Sequence, residues 1–346
     1  MLHKFLLDHP EKEFVTFIIK GFSHGFRIGY KNSHIKPGRK KNLKSASLFE
    51  VGVGESILKE LNRGHTVGPF PSPSITPFYV SPLGGVPKSD GSIRLVLDCS
   101  SPRGSSVNDG IEKSEYSVTY AKFDDAVDIV RSLGKGSFMA KLDIKHAFRI
   151  CPINPLDWGL MGSKFKGKYF IDIRLPFGLR SSPFIFNTVA DAFHWILVHK
   201  GYIEHSIHYL DDFFFANSTN SLCQIDLENA EYIFDCIKVP LAMDKKEGPS
   251  QVITFLGIEI DTSVMVLRLP QDKLRKAKDL ISEWVDKSSC SKQDLLSLIG
   301  FLSFACKVVK PGRMFLRRLI DLFSQAKELF HFIHINKEAK KDKLVA

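Results

Sequence analysis

The chain has 346 residues, with 48 Lys and Arg against 38 Asp and Glu, a formal charge of +10. Its 44% hydrophobic content excludes global disorder and supplies a sizeable core, while the positive balance favours a polyanionic partner. Six scattered cysteines with no C-x-x-C pair exclude a structural zinc site and a disulfide framework, and no apolar run is long enough for a signal peptide or a membrane span.

Residues 1–68 read as an N-terminal leader that contains the basic stretch "KPGRKKNLK" from Lys36 to Lys44. That stretch suits either a solvated loop or a contact with nucleic acid or an import receptor. The Pro/Gly/Ser-rich segment "GPFPSPSITPFYVSPLGG" then marks the entry to a main domain over 69–261. In "GGVPKSDGSIRLVLDCS" a Ser-Asp-Gly turn between apolar runs predicts a β-hairpin, with Asp90 and Ser92 as turn residues.

"FDDAVDIVRSL" has helical spacing at Phe123, Ala126, Val127, Val130 and Leu133. "SFMAKLDI" and "KYFIDIRL" read as strands. "SSPFIFNTVADAFHWILVHKG" reads as a long helix closed by Gly201, and "ITFLGIEID" as a strand near the end of the main domain. Beyond Asp261 the pattern is helical. Leu274, Ala277, Ile281 and Trp284 share one face, and a second helix opens on a capping box of Ser291 and Asp294. It continues through Leu295, Leu298, Ile299 and Leu302, and the tail "NKEAKKDKLVA" is expected to fray. Strands followed by helices give an α+β class with a helical C-terminal part over 262–346.

"HYLDDFFFANS" sets Asp211 and Asp212 side by side inside an apolar stretch. In a regular strand the two would point to opposite faces, whereas a tight turn between "IHY" and "FFF" lets both approach one site. Two like charges buried together need a cation, and hard divalent metals with oxygen ligands meet that need. Asp143 in "AKLDIKHAF" is a third acid in similar apolar surroundings. Each piece alone is more often a turn or a helix cap than a metal site; their order along the chain is more informative.

A Lys/Arg hairpin is followed by D-x-x-x-A-F, L-P-F-G-L-x-S-S-P, Y-L-D-D, D-K-K and F-L-G. This succession resembles the reverse transcriptase family. The segments "SPLGGVPK", "SVNDGI", "AFRICPI", "LPFGLRSSPFIFN", "HYLDDF", "EGPS" and "FLGIEID" look most like the polymerases of DIRS-like retrotransposons, which encode a tyrosine recombinase.

The resemblance implies a right-hand polymerase, with fingers and a palm of antiparallel sheet backed by helices over 69–261, and a thumb-like or connection-like helical part over 262–346. It implies an RNA-directed DNA polymerase, a nucleotidyltransferase that uses Mg²⁺, with Mn²⁺ as a second candidate. The metal ligands would be Asp143, Asp211 and Asp212, with the backbone carbonyl of Ile144. Lys88 and Arg94 would grip the triphosphate of the incoming dNTP. Ala147 and Phe148 would meet its sugar, with the Phe148 ring leaving no room for a 2′-hydroxyl. Phe177 and Gly178 would sit beside the nascent base pair; retroviral relatives carry Gln where this chain has Phe177. Lys245 or Lys246, with Lys245 preferred, would protonate the leaving pyrophosphate, and "FLGIEID" would form a primer-gripping hairpin.

The implied partners are an RNA or DNA template, a primer and dNTPs, with no membrane, inside the cell in nucleus or cytoplasm. Ribonuclease H and recombinase modules of a larger element are expected outside these residues, since no acidic cluster near the C-terminal end suits a ribonuclease H. The competing expectation is a non-catalytic relic that keeps only the fold or nucleic-acid binding.

Overall fold

The computed structural model describes all residues except 32–39, 89, 286, 325–327, 329 and 336–346. Lys36 to Arg39 of the basic stretch and the charged tail therefore lie outside the described residues. The chain forms two compact units: residues 1–129, 140–217 and 221–247 make the first, and 130–139, 218–220 and 248–346 the second. The expected boundaries were 68 and 261. The first 68 residues cluster within the first unit, and the 252–261 segment clusters with the C-terminal helices.

The leader is helical: α1 (Leu2–Phe5), α2 (Lys12–His24), α3 (Lys44–Leu48) and α4 (Glu50–Asn62) precede β1 (Thr66–Phe70). It is tied down by charge as well as packing. Asp157 accepts from the Arg27 Nε and from the Ile28 N–H, both at 2.9 Å. The predicted hairpin forms from β2 (Leu83–Pro87) and β3 (Ile93–Leu97), with Val86 opposite Arg94. Its turn is built as the sequence implies, because the Asp90 carboxylate accepts from the Ser92 N–H at 2.9 Å and the Ser92 hydroxyl at 2.6 Å.

Next come α5 (Phe123–Leu133), β4 (Phe138–Asp143), β5 (Gly162–Phe165), β6 (Lys168–Asp172) and α6 (Ser182–Gly201). Gly201 does not supply the left-handed turn that ends α6. Tyr202 takes it, at φ 58°. Gly201 instead lies where a Cβ would stand 2.9 Å from the Ile233 Cδ1, a close packing contact rather than a chain reversal.

β7 (Ser206–Tyr209) and β8 (Asp212–Asn217) form the hairpin that carries "YLDD", and β8 lies between β7 and β4. Phe213, Phe214 and Phe215 are all fully buried, so both faces of β8 are covered. One cover is α6 together with α7 (Asn220–Cys236), a helix not anticipated from the sequence. The Phe234 ring of α7 meets Phe213 at 5.2 Å and the Phe193 ring of α6 at 6.0 Å. That aromatic cluster fixes the strand whose first residue is Asp212.

β9 (Glu247–Ser250) begins at the last residue of the first unit, and the second unit holds the rest of it with β10 (Val252–Phe255), β11 (Ile258–Asp261) and β12 (Val266–Arg268). "ITFLGIEID" is thus two strands rather than one. The chain reverses at Leu256 and Gly257, at φ 45° and 77°, which a continuous strand excludes. Three helices follow: α8 (Gln271–Val285), α9 (Lys292–Ala305) and α10 (Arg313–Ser324). Trp284, Leu295, Leu298, Leu316 and Leu319 form their shared core. The Ser291 hydroxyl caps α9, accepting from the Asp294 N–H at 3.1 Å and donating to the Asp294 carboxylate at 2.7 Å. Among the described residues no helix is long and apolar enough to cross a membrane.

Candidate active site

Tyr209 pairs with Asp212 across a two-residue loop of Leu210 and Asp211, and Leu210 sits at φ 53°. A leucine in that region is strained by roughly 1–2 kcal/mol. The loop is held against the end of β4, because the Ile144 N–H donates to the Asp211 carbonyl at 2.9 Å. The loop that follows Asp143 is strained too, with His146 and Ala147 at φ 68° and 34°.

A third segment joins them. The Ala242 N–H donates to the Asp143 carbonyl and the Lys145 N–H to the Pro240 carbonyl, both at 2.8 Å. This pairing delivers Lys245, whose Nζ lies 2.9 Å from Asp143 Oδ2. The neighbouring Lys246 pairs with Glu231 instead, so of the two candidate lysines it is the preferred Lys245 that meets Asp143.

The electrostatics follow from burial. Asp143 is 9% exposed, and Asp211 and Asp212 are partly buried. Burial pushes the Asp211 carboxyl above its ordinary range, and the nearby Asp143 pushes the same way. Asp212 rises to about 6, through burial and then through the charges of Asp211 and Asp143. The hydrogen bond to Asp143 raises Lys245. Buried carboxylates that destabilise one another are the donor chemistry a hard divalent cation relieves. Among the described residues, however, no three His, Cys, Asp or Glu side chains stand at ligand spacing for a metal ion. In this conformation Lys245 offsets part of the charge. The three carboxylates of Asp143, Asp211 and Asp212 fit Mg²⁺ or Mn²⁺ by chemistry, whereas the Ile144 carbonyl, the other expected oxygen, accepts from the Ala147 N–H at 3.4 Å.

Other expected site residues are brought together without any signal in their spacing. The Arg94 guanidinium lies over the Phe177 ring at 5.4 Å, and the Phe177 ring lies 5.0 Å from Phe148. Phe148 also meets Phe186 of α6 at 5.5 Å and is 9% exposed, so the ring packs as a core residue does. Lys88 is exposed, with its backbone in the hairpin turn and its charge near the Asp90 carboxylate, which the hydrogen bonds from Ser92 and then the Lys88 charge hold below its ordinary range.

Gly178 has φ 105°, and a Cβ there would stand 2.0 Å from the Leu97 carbonyl oxygen, so only glycine fits. The Leu97 N–H donates to the Phe177 carbonyl at 3.3 Å, which fastens the "LPFG" turn to the hairpin strand β3.

Asn108 was not singled out from the sequence, although "SVNDGI" contains it. Its buried amide donates to the Gly178 carbonyl at 2.9 Å and accepts from the Arg180 N–H at 2.8 Å. Arg180 returns the contact, donating to the Asn108 carbonyl at 2.6 Å. The only available sign was a polar residue in a motif with no chemistry of its own. A second unanticipated group lies under the Asp143 loop: Arg149, nearly buried, bridges Glu60 at 3.1 Å and Asp172 at 3.2 Å. Burial would raise Glu60, but its bond to His65 and the charge of Arg149 prevail and hold it at about 2.

Comparison with known proteins identifies the fold and the family. The chain superposes on the structure of a foamy viral protease–reverse transcriptase in complex with double-stranded DNA. The TM-score is 0.67 at 20% identity, over 99% of this chain and 58% of that one. A structure described as the foamy viral protease–reverse transcriptase in complex with an RNA/DNA hybrid matches with TM-score 0.67 and 18% identity, over 99% of this chain and 45% of that one. The α+β arrangement is therefore the right-hand polymerase fold. The family model "Reverse transcriptase (RNA-dependent DNA polymerase)" matches residues 86–260, just over half of the chain, and the chain belongs to that family.

Among curated relatives, the Pro-Pol polyprotein of simian foamy virus type 1 is 28% identical over 184 residues, which cover 52% of this chain and 14% of that protein. The retrovirus-related Pol polyprotein from transposon 297 of Drosophila melanogaster is 24% identical over 273 residues, covering 73% of this chain and 24% of the relative. The chain thus spans a quarter or less of these polyproteins.

Proposed function

We propose that the chain is the RNA-directed DNA polymerase of a DIRS-like retrotransposon, extending a primer on an RNA or DNA template with deoxynucleotides. The observation that carries this reading is the junction of the Asp143 strand end with the Asp211 turn, with Lys245 delivered to the same carboxylate. Membership of the reverse transcriptase family supports it. The DIRS-like assignment rests on the motifs quoted above. Residues 69–261 would act as fingers and palm and 262–346 as thumb, at work in nucleus or cytoplasm.

Asp143, Asp211, Asp212 and the Ile144 carbonyl would hold Mg²⁺ or Mn²⁺. Two such ions, when bound, supply charge neutralisation for the attacking 3′-hydroxyl and the leaving pyrophosphate. Lys88 and Arg94 bind the triphosphate, Lys as a point charge and Arg through its planar fork. Arg94 keeps its guanidinium on Phe177, so the triphosphate grip and the wall beside the base pair share one stack. Ala147 and Phe148 line the sugar. Lys245 is charged beside Asp143 and holds the proton that the departing pyrophosphate needs.

Primer extension on poly(rA)/oligo(dT) with dTTP and Mg²⁺ or Mn²⁺ tests the reading. Wild type should extend, and Asp211→Asn should lose at least about a thousandfold in rate with its fold intact, since it removes ligand charge without changing volume. A chain that binds template-primer and adds no nucleotide under either metal is a relic.

A further inference from the structure

The first unit contains a cavity of about 360 Å³ that the polymerase reading does not use. Six cationic or basic side chains line it: Arg63, His65, His146, Arg149, Arg174 and Lys238. They come from the α4–β1 junction, the loop after Asp143, the chain after β6 and the turn after α7, which only the fold brings together.

Their countercharges are few. The Glu60 carboxylate is divided among Arg63 at 3.3 Å, His65 at 3.0 Å and Arg149 at 3.1 Å. Asp172 meets Arg149 at 3.2 Å, and Lys238 pairs with Asp235 at 3.1 Å. Arg174 has no ion pair among the described residues; its guanidinium donates to the Ile150 carbonyl at 3.2 Å, which supplies no charge. The His146 ring packs edge-on against His65 at 5.5 Å, and its nitrogens make no hydrogen bond among the described residues. Converging cations around a cavity repel one another unless an anion joins them.

The remaining lining includes the rings of Phe22 and Phe193. A cavity of this size with convergent donors and an apolar remainder has the make-up of a small-molecule site. Arginine forks and imidazole N–H groups together match the oxygens of a phosphate.

We propose that this cavity binds a small phosphate-bearing anion, of the size of pyrophosphate or a mononucleotide, at a place separate from Lys88 and Arg94. The proposal does not depend on the polymerase reading. It has one structural consequence for the candidate active site: His146 belongs to the strained loop that follows Asp143, so an anion held here bears on the backbone carrying that carboxylate.

The test is calorimetric titration of the full chain with inorganic pyrophosphate in EDTA, where divalent metals are absent. Wild type should bind at one site, and Arg174→Gln should weaken binding by about tenfold or more. Arg63→Gln, a half-exposed position whose substitution leaves the fold standing, should weaken it severalfold. The Lys88→Ala/Arg94→Ala double variant should bind as wild type does. Absence of binding overturns the proposal, as does binding unchanged in both Arg63→Gln and Arg174→Gln, or binding lost only in the double variant. Binding of a short single-stranded oligonucleotide without binding of pyrophosphate also overturns it.

Discussion

Asp212 carries the most readable electrostatic consequence of the site. Its folded value of about 6 exceeds the ordinary 3.8, so between those values the folded chain holds a proton that the unfolded chain releases. Its contribution to stability is therefore favourable at low pH and is lost as pH rises from about 4 to 6. Two pH units correspond to about 3 kcal/mol, a ceiling because water still reaches the group. In EDTA, Asp212→Asn should stabilise the protein at pH 7 by roughly 1–3 kcal/mol and flatten denaturation midpoints between pH 4 and 6. Mg²⁺ should raise the wild-type midpoint more than that of the variant. A variant less stable than wild type at pH 7 would mean that the Asp212 charge is already compensated.

Phe148 poses a sharper choice, because its ring both packs on Phe177 and Phe186 and stands five residues past Asp143. Phe148→Val should cost roughly 1–3 kcal/mol in stability through lost packing. If the ring also excludes a 2′-hydroxyl, the ratio of kcat/KM for dNTP over rNTP should fall by about tenfold or more, while Phe148→Tyr keeps it. An unchanged ratio together with the stability loss identifies a core phenylalanine and nothing more.

Among elements, the "LPFG" turn and the hairpin strand β3 act as one piece. Gly178 sits under the Leu97 carbonyl, and Asn108 holds the Gly178 carbonyl from the other motif. Gly178→Ala should therefore displace the turn, at roughly 2–4 kcal/mol, since both the backbone angle and the 2.0 Å approach forbid a Cβ. Because Phe177 carries Arg94, the same change should raise KM for dNTP more than it lowers stability would explain. Hydrogen exchange at the Leu97 amide, faster in the variant, reports the displaced turn directly. If the Leu97 amide and KM both stay as in wild type, the turn tolerates the methyl group and the coupling is absent.

For the whole molecule the relevant quantity is net charge. At +10 the chain should bind template-primer through phosphate contacts that release counterions, so affinity should fall steeply and log-linearly with salt and vary little with sequence. Equilibrium binding across a salt series decides it. A flat response would place the positive charge away from the nucleic-acid face.

The class of the fold, the hairpin, the strand ends that carry Asp143 and Asp212, the cap of α9 and the family were all legible along the chain. All of these are local or ordered signals: alternation, turn residues, helical spacing, and motifs in a fixed succession. α7, whose mixed surface blurs the period, was not legible, nor was the role of Gly201; the reversal inside "ITFLGIEID" was absent from the strand pattern and came only with the resemblance, as a hairpin at "FLGIEID". Which lysine meets Asp143 depends on folding, because Lys245 and Lys246 are adjacent and the outcome rests on how the 240–242 backbone pairs with Asp143 and Lys145. Folding also makes Arg94, Phe177 and Phe148 one stack and Glu60, Arg149 and Asp172 one buried network. Such contacts join residues far apart in the chain. Their energy lies in packing and burial, and spacing along a sequence carries no record of either.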